Sequence, residues 1–393
     1  MKRILIVGAS DFQLPAIIKA KEMGLYVGVA DFNSNAVGIP YADEFFNVST
    51  IDAEGIYQAA KEFVADGIVA LCTDMPMRAI AYACEKLGLK GLDIDSAVRA
   101  TNKGVMIDAF AKNGVEHPVY QVLPSGNFEK FDQNAFSFPL ITKPTDNSGS
   151  RGIMKVNSLD ELENALAYSS NDGRSGDVIV QEFMQGPEVS VELMVIDGVP
   201  NVLQVTDKLT TGAPHFVEIG HSQPSKISEN DLVKIRDLAK RAALAVGIVD
   251  GAGHAEIILT KDGPKVVEIG ARMGGGCITT HLVPLSTGID MTKATIQVAL
   301  GEKPNIDSTC KFGSAIRFII PPKGKIISIS GKEYAETIPG IKLVDIQCEV
   351  GQILGELENG TKRIGYVIAQ GETVEEAVTI CEKAQAQIII ETE

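Results

Sequence analysis

The stretch HAEIILTKDGPKVVEIGARMGGG, residues 254–276, carries the strongest fold signal in this chain. Apolar and polar residues alternate on both sides of a Lys261–Gly263 turn, a pattern that predicts a β-hairpin. A turn of three or five residues would pair Ile257 with Ile269 and, by the same register, Leu259 with Val267. One face of the hairpin is then apolar, and the other carries the polar residues Glu256, Glu268, Gly270 and Arg272.

The polar face of this hairpin has the residue types of a metal and phosphate site. In the predicted register Glu256 and Glu268 are diagonal neighbours, with Cβ atoms about 7–8 Å apart. Carboxylates at that spacing suit Mg²⁺, which takes hard oxygen ligands together with nucleotide phosphates. The guanidinium of Arg272 could hold a transferring phosphoryl group. A turn of even length would send Glu256 to the opposite face, and a surface hairpin with solvated charges is the alternative interpretation.

The composition describes an ordinary globular protein with an acidic balance. The chain has 393 residues, enough for two or three domains, and 45% of them are hydrophobic. Its 36 basic and 51 acidic residues give a formal charge of -15, and no basic run interrupts that balance. We therefore expect neither a nucleic-acid partner nor binding to an anionic membrane surface.

The chain shows no sign of a membrane span, a secretion signal or a zinc site. No apolar run approaches the roughly 18–20 residues of a membrane span, and the N-terminus starts directly as a strand without a signal-peptide core. The six cysteines are scattered without a CxxC pair, and no two of the five histidines stand at helical spacing. A cytoplasmic enzyme with reduced thiols is the expectation.

Three regions follow one another along the chain. Residues 1–95 alternate strands and helices, which predicts a parallel sheet in an α/β domain. Their first turn starts at Gly8 and lacks the G-x-G-x-x-G spacing, so dinucleotide binding is disfavoured although Asp31 stands where a ribose-binding acid would. Residues 96–306 form a longer central unit, and residues 307–393 a small α+β cap.

Two further segments have features of a nucleotide site. Lys143 leads into Ser148-Gly149-Ser150-Arg151-Gly152, whose small residues allow backbone N–H groups to wrap phosphates. This is not a Walker A loop, and a plain hairpin turn is the alternative. QEFMQGPEVSVE (181–192) turns through Gly186-Pro187, which would leave the backbone of Glu182 and Met184 free for an adenine edge and Glu188 for ribose hydroxyls.

Taken in order, these motifs resemble the ATP-grasp superfamily of ATP-dependent carboxylate–amine ligases. The resemblance runs from G-x-x-x-x-Q at the N-terminus through Asn102-Lys103, Lys143-Pro144 and the hairpin. SAIRFIIPPKG and GYVIAQGETVEEA are similar to the C-terminal cap of the carbamoyl-phosphate-synthase-like and L-amino-acid-ligase branches. The implied architecture is a parallel-sheet N-terminal domain (1–95), an ATP-grasp central domain (96–306, with a lid at about 126–190) and the α+β cap.

The resemblance also implies roles for particular residues. Arg272 would stabilise the transferred phosphoryl group, and Glu256 and Glu268 would bind Mg²⁺, or Mn²⁺ in its place. The ATP-binding residues would be Lys103, Lys143, Ser148, Gly149, Ser150, Gln181, Glu182, Phe183, Met184 and Glu188. One position departs from the family's E-x-N pattern, because Gly270 stands where many members have asparagine. The number of metal ions is therefore open.

The substrates are small molecules by the same resemblance. A carboxylate, most simply that of an amino acid, would be phosphorylated by ATP, and an amine would then attack the acylphosphate. The polar stretch 210–228, with His221, and Gly275 and Gly276 of the hairpin would line the substrate site. A plain surface loop is the alternative for 210–228. A homodimer is the default expectation, and a non-catalytic ATP-binding protein and a dinucleotide-dependent oxidoreductase are the alternative functions.

Overall fold

The computed structural model describes residues 1–147, 149 and 151–393. The N-terminal region is a parallel four-stranded sheet with strand order β3-β2-β1-β4. Its elements are β1 (Arg3–Val7), α1 (Leu14–Glu22), β2 (Tyr26–Asp31), β3 (Glu44–Asn47), α2 (Ala53–Phe63), β4 (Gly67–Val69) and α3 (Met77–Leu87). The α/β fold predicted for this region is confirmed. Since all four strands run the same way, the loops after β1 and β4 meet at one edge of the sheet.

Two helices connect this sheet to the rest of the chain. They are α4 (Ile94–Thr101) and α5 (Lys103–Lys112). The carboxylate of Asp93 caps α4 by accepting a hydrogen bond from the Ser96 backbone N–H. Asn102 caps α5 in the same way, and this fixes Lys103 at the first turn of a helix.

An antiparallel sheet of four strands, which we call the lid, follows. Its elements are β5 (Tyr120–Leu123), β6 (Leu140–Pro144), β7 (Met154–Val156), α6 (Leu159–Asp172) and β8 (Val178–Glu182). The strand order is β5-β8-β6-β7, and α6 packs on β6 and β7. Lys143 lies near the end of β6, so the glycine-rich segment after it is the β6–β7 connection.

The largest sheet has eight strands, in the order β13-β12-β9-β10-β11-β14-β18-β16. The central region supplies five of its strands, β9 (Glu188–Ile196), β10 (Val199–Thr210), β11 (Glu218–Gln223), β12 (Gly251–Thr260) and β13 (Gly263–Gly270). The helix α7 (Glu229–Val246) connects β11 to β12. The apolar stripe of α7 packs against β12 and β13, and its residues Leu232, Ile235, Ala239, Ala242 and Val246 are all buried. Ser228 and Gly247 cap α7 at its two ends.

The C-terminal region extends the same sheet. Its elements are a π-helix (Ile278–Leu282), α8 (Val283–Thr287), α9 (Met291–Ala299), β14 (Gly313–Phe318), β15 (Gly324–Ser330), α10 (Lys332–Glu336), β16 (Ile341–Ile346), β17 (Ile353–Leu354), β18 (Gly365–Gly371), α11 (Val374–Gln385) and β19 (Ile389–Thr392). β14 pairs with β11 of the central region, and β15, β17 and β19 form a small separate sheet. Within the described residues, no helix combines the length and apolarity needed to cross a bilayer.

Candidate active site

The turn between β12 and β13 has two residues, Lys261 and Asp262, because Thr260 pairs with Gly263. The predicted turn of three or five residues is therefore wrong, and so are the pairs Ile257–Ile269 and Leu259–Val267. The observed partner of Ile257 is Val266, and that of Ile269 is Ala255.

A β-bulge places Glu256 and Glu268 on the same face of the hairpin, although a turn with an even number of residues would by itself place them on opposite faces. Glu256 pairs with Glu268 while Ile257 pairs with Val266, so Val267 is an extra residue without a partner. Such a residue reverses the alternation of faces in its strand. Glu256 and Glu268 are therefore direct cross-strand neighbours on one face, closer than the predicted diagonal, with Cβ atoms about 4.5–5.5 Å apart.

Lys208 of β10 lies at the centre of the acidic residues on this face. Its ammonium is 3.0 Å from a carboxylate oxygen of Glu256, 2.6 Å from Glu188 and 3.0 Å from Glu218. Burial alone would lower the pKa of Lys208, but the three carboxylates hold it well above its ordinary value. Sequence reasoning missed this residue, since its partners come from three other strands.

Lys103 and Lys143 lie beside the second glutamate. The Lys103 ammonium is 3.0 Å from Glu268 and donates a 2.8 Å hydrogen bond to the Asn147 carbonyl. Burial would lower the pKa of Lys103, but Glu268 raises it above its ordinary value. Lys143 is 5% exposed, and no carboxylate of the described residues lies within 4.0 Å of its ammonium. Burial and the neighbouring Lys103 lower the pKa of Lys143 to about 8, against the opposing effect of Glu268.

The two glutamates fit a hard divalent cation. Burial would raise the pKa of Glu256, but Lys208 and His254 hold it well below its usual range, so this carboxylate stays ionised. The described residues contain no cluster of three or more potential metal ligands. Two carboxylates supplemented by nucleotide phosphates are a common way for proteins to hold Mg²⁺, and the donor set matches that chemistry.

Arg272 is fixed by a carboxylate from the N-terminal sheet. Its Nε and Nη2 atoms each donate a 3.0 Å hydrogen bond to Asp74, which follows β4. Burial would lower the pKa of Arg272, but Asp74 raises it above its ordinary value. A Cβ atom on Gly270 would lie 3.0 Å from both the Arg272 guanidinium and the Asp74 carboxylate. The missing asparagine thus has a physical explanation, because this pair fills the space of a side chain at 270.

The glycine loop after Arg272 covers two buried histidines. A Cβ on Gly276 would lie 3.0 Å from Nε2 of His221, whose ring nitrogens have no hydrogen-bond partner among the described residues. A Cβ on Gly274 would lie 2.6 Å from His254. A Cβ on Gly275, by contrast, would lie 3.9 Å from the carbonyl oxygen of Cys72. The structure therefore brings His221 and Gly276 together and leaves room for a Cβ at Gly275.

His254 forms a buried pair that sequence reasoning left unassigned. Its Nδ1 lies 2.7 Å from a carboxylate oxygen of Glu192, and its Nε2 lies 3.5 Å from Glu256. Burial lowers the pKa of His254, yet Glu192 raises it to about 9 overall. The protonated ring thus links the buried Glu192 to Glu256.

The segment predicted to meet adenine is partly engaged within the protein. The Glu182 backbone N–H donates a 2.9 Å hydrogen bond to the Val119 carbonyl, so this N–H is not free to bond an adenine edge. The Glu182 carboxylate pairs with Lys265. The structure has no hydrogen bond from the Met184 N–H to any described residue. Gln181 is buried in β8, and the ammonium of Lys155 lies 4.2 Å from the centre of the Phe183 ring.

The β6–β7 connection lies beside Lys103. Gly149 has a φ of +70°, and a Cβ there would meet nothing within 4 Å. The predicted phosphate ligands Ser148 and Ser150 lie outside the described residues. The backbone N–H of Lys103 donates a 2.7 Å hydrogen bond to Thr145, which ties the start of α5 to this connection.

Comparisons with known proteins agree with the geometry. Residues 136–281 match the ATP-grasp domain, and residues 317–393 match the L-amino acid ligase C-terminal domain 2. The alanine–anticapsin ligase of Bacillus subtilis is 28% identical over 307 residues, which cover 72% of this chain and 64% of that protein. The formate-dependent phosphoribosylglycinamide formyltransferase of Salmonella paratyphi A is 23% identical, covering 99% of this chain and 96% of that protein.

A solved structure shares the fold over the whole chain. The L-amino acid ligase from Bacillus licheniformis superposes with a TM-score of 0.87 at 24% identity, covering 100% of this chain and 99% of that one. The superposition shows that the two proteins share a fold, whereas the two domain matches are similarities of sequence. The chain therefore contains an ATP-grasp domain, and the proteins that it resembles include ATP-dependent ligases that form C–N bonds.

Proposed function

We propose that this protein phosphorylates the carboxylate of a small acid with ATP and then joins it to an amine. The observation that carries the proposal is the direct cross-strand pair of Glu256 and Glu268, with Lys103 and Lys143 beside it. This arrangement places two ionisable oxygen ligands and two cations on one surface. It suits a metal-bound triphosphate better than any other small ligand.

ATP would be held from both ends. Lys103 and Lys143 would bind its phosphates, under a loop formed by Ser148, Gly149 and Ser150. Lys143 supports this role because it is buried without an ion-pair partner among the described residues. Gln181, Glu182, Phe183 and Met184 would border the adenine, with the Met184 N–H available for its edge, and Glu188 would accept the ribose hydroxyls.

Glu256 and Glu268 would hold Mg²⁺, or Mn²⁺ in its place. The metal, when bound, supplies positive charge to the phosphate oxygens. Each glutamate is held in place by a lysine ammonium group at 3.0 Å, Glu268 by Lys103 and Glu256 by Lys208. A metal–nucleotide complex would compete with those ammonium groups for the same oxygens.

Bond formation would proceed in two steps. A carboxylate oxygen of the acid attacks the γ-phosphorus of ATP, and ADP leaves with the electron pair of the broken P–O bond. Arg272, held in orientation by Asp74, stabilises the charge on the phosphoryl oxygens. The amine nitrogen then attacks the acyl carbon, phosphate leaves and the nitrogen loses a proton. The chain's own side chains need not form a covalent bond with substrate.

An amino acid is the proposed acid substrate. Support comes from the match to the L-amino acid ligase C-terminal domain and from the similarity to a protein named alanine–anticapsin ligase. The space around Gly275 would admit the carboxylate next to the peptide backbone, and His221 would line the same site. The polar segment before His221 would form its outer wall. We keep a homodimer as the expectation for the assembly.

ADP release in the presence of Mg²⁺ and pooled amino acids tests the proposal. We expect release only when a particular acid and amine are both present. The variant Glu268→Gln should lose that release and keep its thermal unfolding temperature, while the exposed Glu163→Gln on α6 serves as the control. A protein that binds ATP but releases no ADP with any pair would favour the non-catalytic alternative. Full activity of Glu268→Gln would contradict the metal assignment.

A further inference from the structure

A cavity of about 350 Å³ adjoins the proposed phosphate and metal site. Lys103 and Glu268, which are partly buried, line it together with Gly270. Apolar side chains, including Met75, Ala100 and Met106, form part of its walls. Two exposed arginines, Arg78 from α3 and Arg174 from the lid, also line it. The cavity therefore extends from the proposed reacting centre to two arginines from different parts of the fold.

The carboxylates around this cavity already have partners. Asp74 accepts two hydrogen bonds from Arg272, and Glu268 is paired with Lys103. Asp146 accepts hydrogen bonds from two backbone N–H groups, at 3.0 Å and 2.9 Å. These carboxylates thus have partners other than the guanidinium groups of Arg78 and Arg174, since Asp146 is bonded by the backbone N–H groups of Arg174 and Ser175.

Among the described residues, the guanidinium groups of the two arginines donate only to uncharged groups. Arg78 donates from Nε to the Thr101 hydroxyl at 2.7 Å, and Arg174 donates from Nη2 to Met75 Sδ and to the Asp146 carbonyl, both at 3.1 Å. Within the described part of the chain, neither guanidinium lies within 4.0 Å of a carboxylate. On the surface helix α7, Arg236 is 2.6 Å from a carboxylate. Two guanidinium groups without a counter-ion are unexpected in a chain of formal charge -15.

We propose that Arg78 and Arg174 bind a second anionic group of the acid substrate. One carboxylate would reach the Glu268 end of the cavity and react there, the apolar walls would contact a short aliphatic segment, and the guanidinium groups would hold a distal carboxylate or phosphate. Guanidinium groups suit this role because they bind planar carboxylates and phosphates through paired hydrogen bonds. The inference rests on the proposed function for the identity of the reacting end, and it adds the substrate class.

Binding without turnover tests this inference independently of catalysis. We would titrate the full-length protein calorimetrically, with and without Mg²⁺ and the unreactive analogue AMP-PNP. The probes are matched pairs: L-glutamate with L-glutamine, L-aspartate with L-asparagine, and O-phospho-L-serine with L-serine. We expect the charged member of at least one pair to bind tenfold or more tightly than its neutral partner. A preference within the glutamate or aspartate pair would indicate a distal carboxylate, and a preference within the phosphoserine pair would indicate a distal phosphate.

Variants locate the binding to the cavity. Arg78→Gln and Arg174→Gln should each bring the two members of the preferred pair to within about threefold of one another. Arg78→Lys should keep part of the preference, and Arg236→Gln on α7 should keep all of it. Thermal unfolding verifies that each variant is folded.

Three results would overturn the inference. The first is equal binding of charged and neutral probes by the wild type. The second is a preference that survives when Arg78→Gln and Arg174→Gln are combined in one protein. The third is binding of inorganic phosphate alone that depends on these arginines. The last result would assign the cavity to the released phosphate. Since none of these measurements needs ADP release, an inactive protein would refute the proposed function without deciding this question.

Discussion

The position of the Arg272 side chain depends on the absence of a side chain at Gly270. The Arg272–Asp74 pair occupies the position that a side chain at 270 would enter. An arginine held at both Nε and Nη2 has a defined orientation, which is what a group stabilising a transferring phosphoryl needs. At the residue scale, the departure from the E-x-N pattern is therefore compatible with catalysis.

The variant Asp74→Asn should lower kcat by on the order of 10²-fold, because Arg272 would lose its ionic partner and its fixed orientation. The KM for ATP should change little, since Asp74 is not among the proposed nucleotide ligands. Steady-state kinetics checks this split, with the exposed turn residue in Asp262→Asn as the control. An unchanged kcat would show that the pair is not needed for positioning.

The variant Gly270→Asn should destabilise the protein by about 1–3 kcal/mol, because its Cβ would press on the Arg272–Asp74 pair. Gly275→Ala is the matched control for stability, since its Cβ would have only ordinary contacts and should change the free energy of unfolding by less than about 0.5 kcal/mol. Denaturant unfolding measures both. Equal stability of the two variants would contradict the packing explanation.

Lys143 should make nucleotide affinity depend on pH. Its pKa of about 8 means that the ammonium loses its proton as the pH rises through that value. Phosphate binding favours the charged form, so the Kd for Mg–AMP-PNP should rise between about pH 7 and about pH 9, and binding above pH 8 should take up a proton.

Calorimetry in buffers of different ionisation enthalpy measures that proton uptake. Lys143→Arg should remove the pH dependence, because an arginine stays charged over the whole range. Constant wild-type affinity from about pH 7 to about pH 9 would show that Lys143 does not contact the phosphates.

At the scale of the element, the hairpin depends on two features that cancel. The two-residue turn reverses the faces, and the extra Val267 reverses them again. Deleting Val267 should therefore leave every observed pair intact, with Glu256 still opposite Glu268. Deleting Ile269 is the matched control, because it would shift Gly270 into its place and send Arg272 to the opposite face.

Calorimetric binding of Mg–AMP-PNP distinguishes these two deletions. We expect binding to survive the loss of Val267 and to be abolished by the loss of Ile269. If both deletions abolish binding equally, the bulge has a function in the site beyond restoring the register.

Local patterns predicted the elements better than their pairing. The apolar runs of the N-terminal strands and the helical periodicity of α7 are visible in the sequence, because both patterns are contained within one short segment. The bulge at Val267 has no such signal. Alternation shows which face a residue favours, but the partner strand decides where an extra residue is accommodated.

At the scale of the whole molecule, the site is assembled from distant parts of the chain. Asp74 comes from the N-terminal sheet, Lys143 from the lid, and Lys208 and Glu256 from the central sheet. The motifs identified charged residues that stand in recognisable segments, such as Lys103 and Glu268, which lie 3.0 Å apart in the structure. Lys208, Asp74 and the Glu192–His254 pair are defined only by contacts between strands, which a single sequence does not encode in its spacing.

The transfer of oxygen-18 from the acid substrate to phosphate tests the central claim of this account most directly. The acid would be labelled in its carboxylate and incubated with ATP, Mg²⁺ and the amine that together support ADP release. The account predicts that each phosphate released alongside amide carries one oxygen from the acid, because the carboxylate oxygen attacks the γ-phosphorus. Amide formed with unlabelled phosphate would contradict the acylphosphate mechanism.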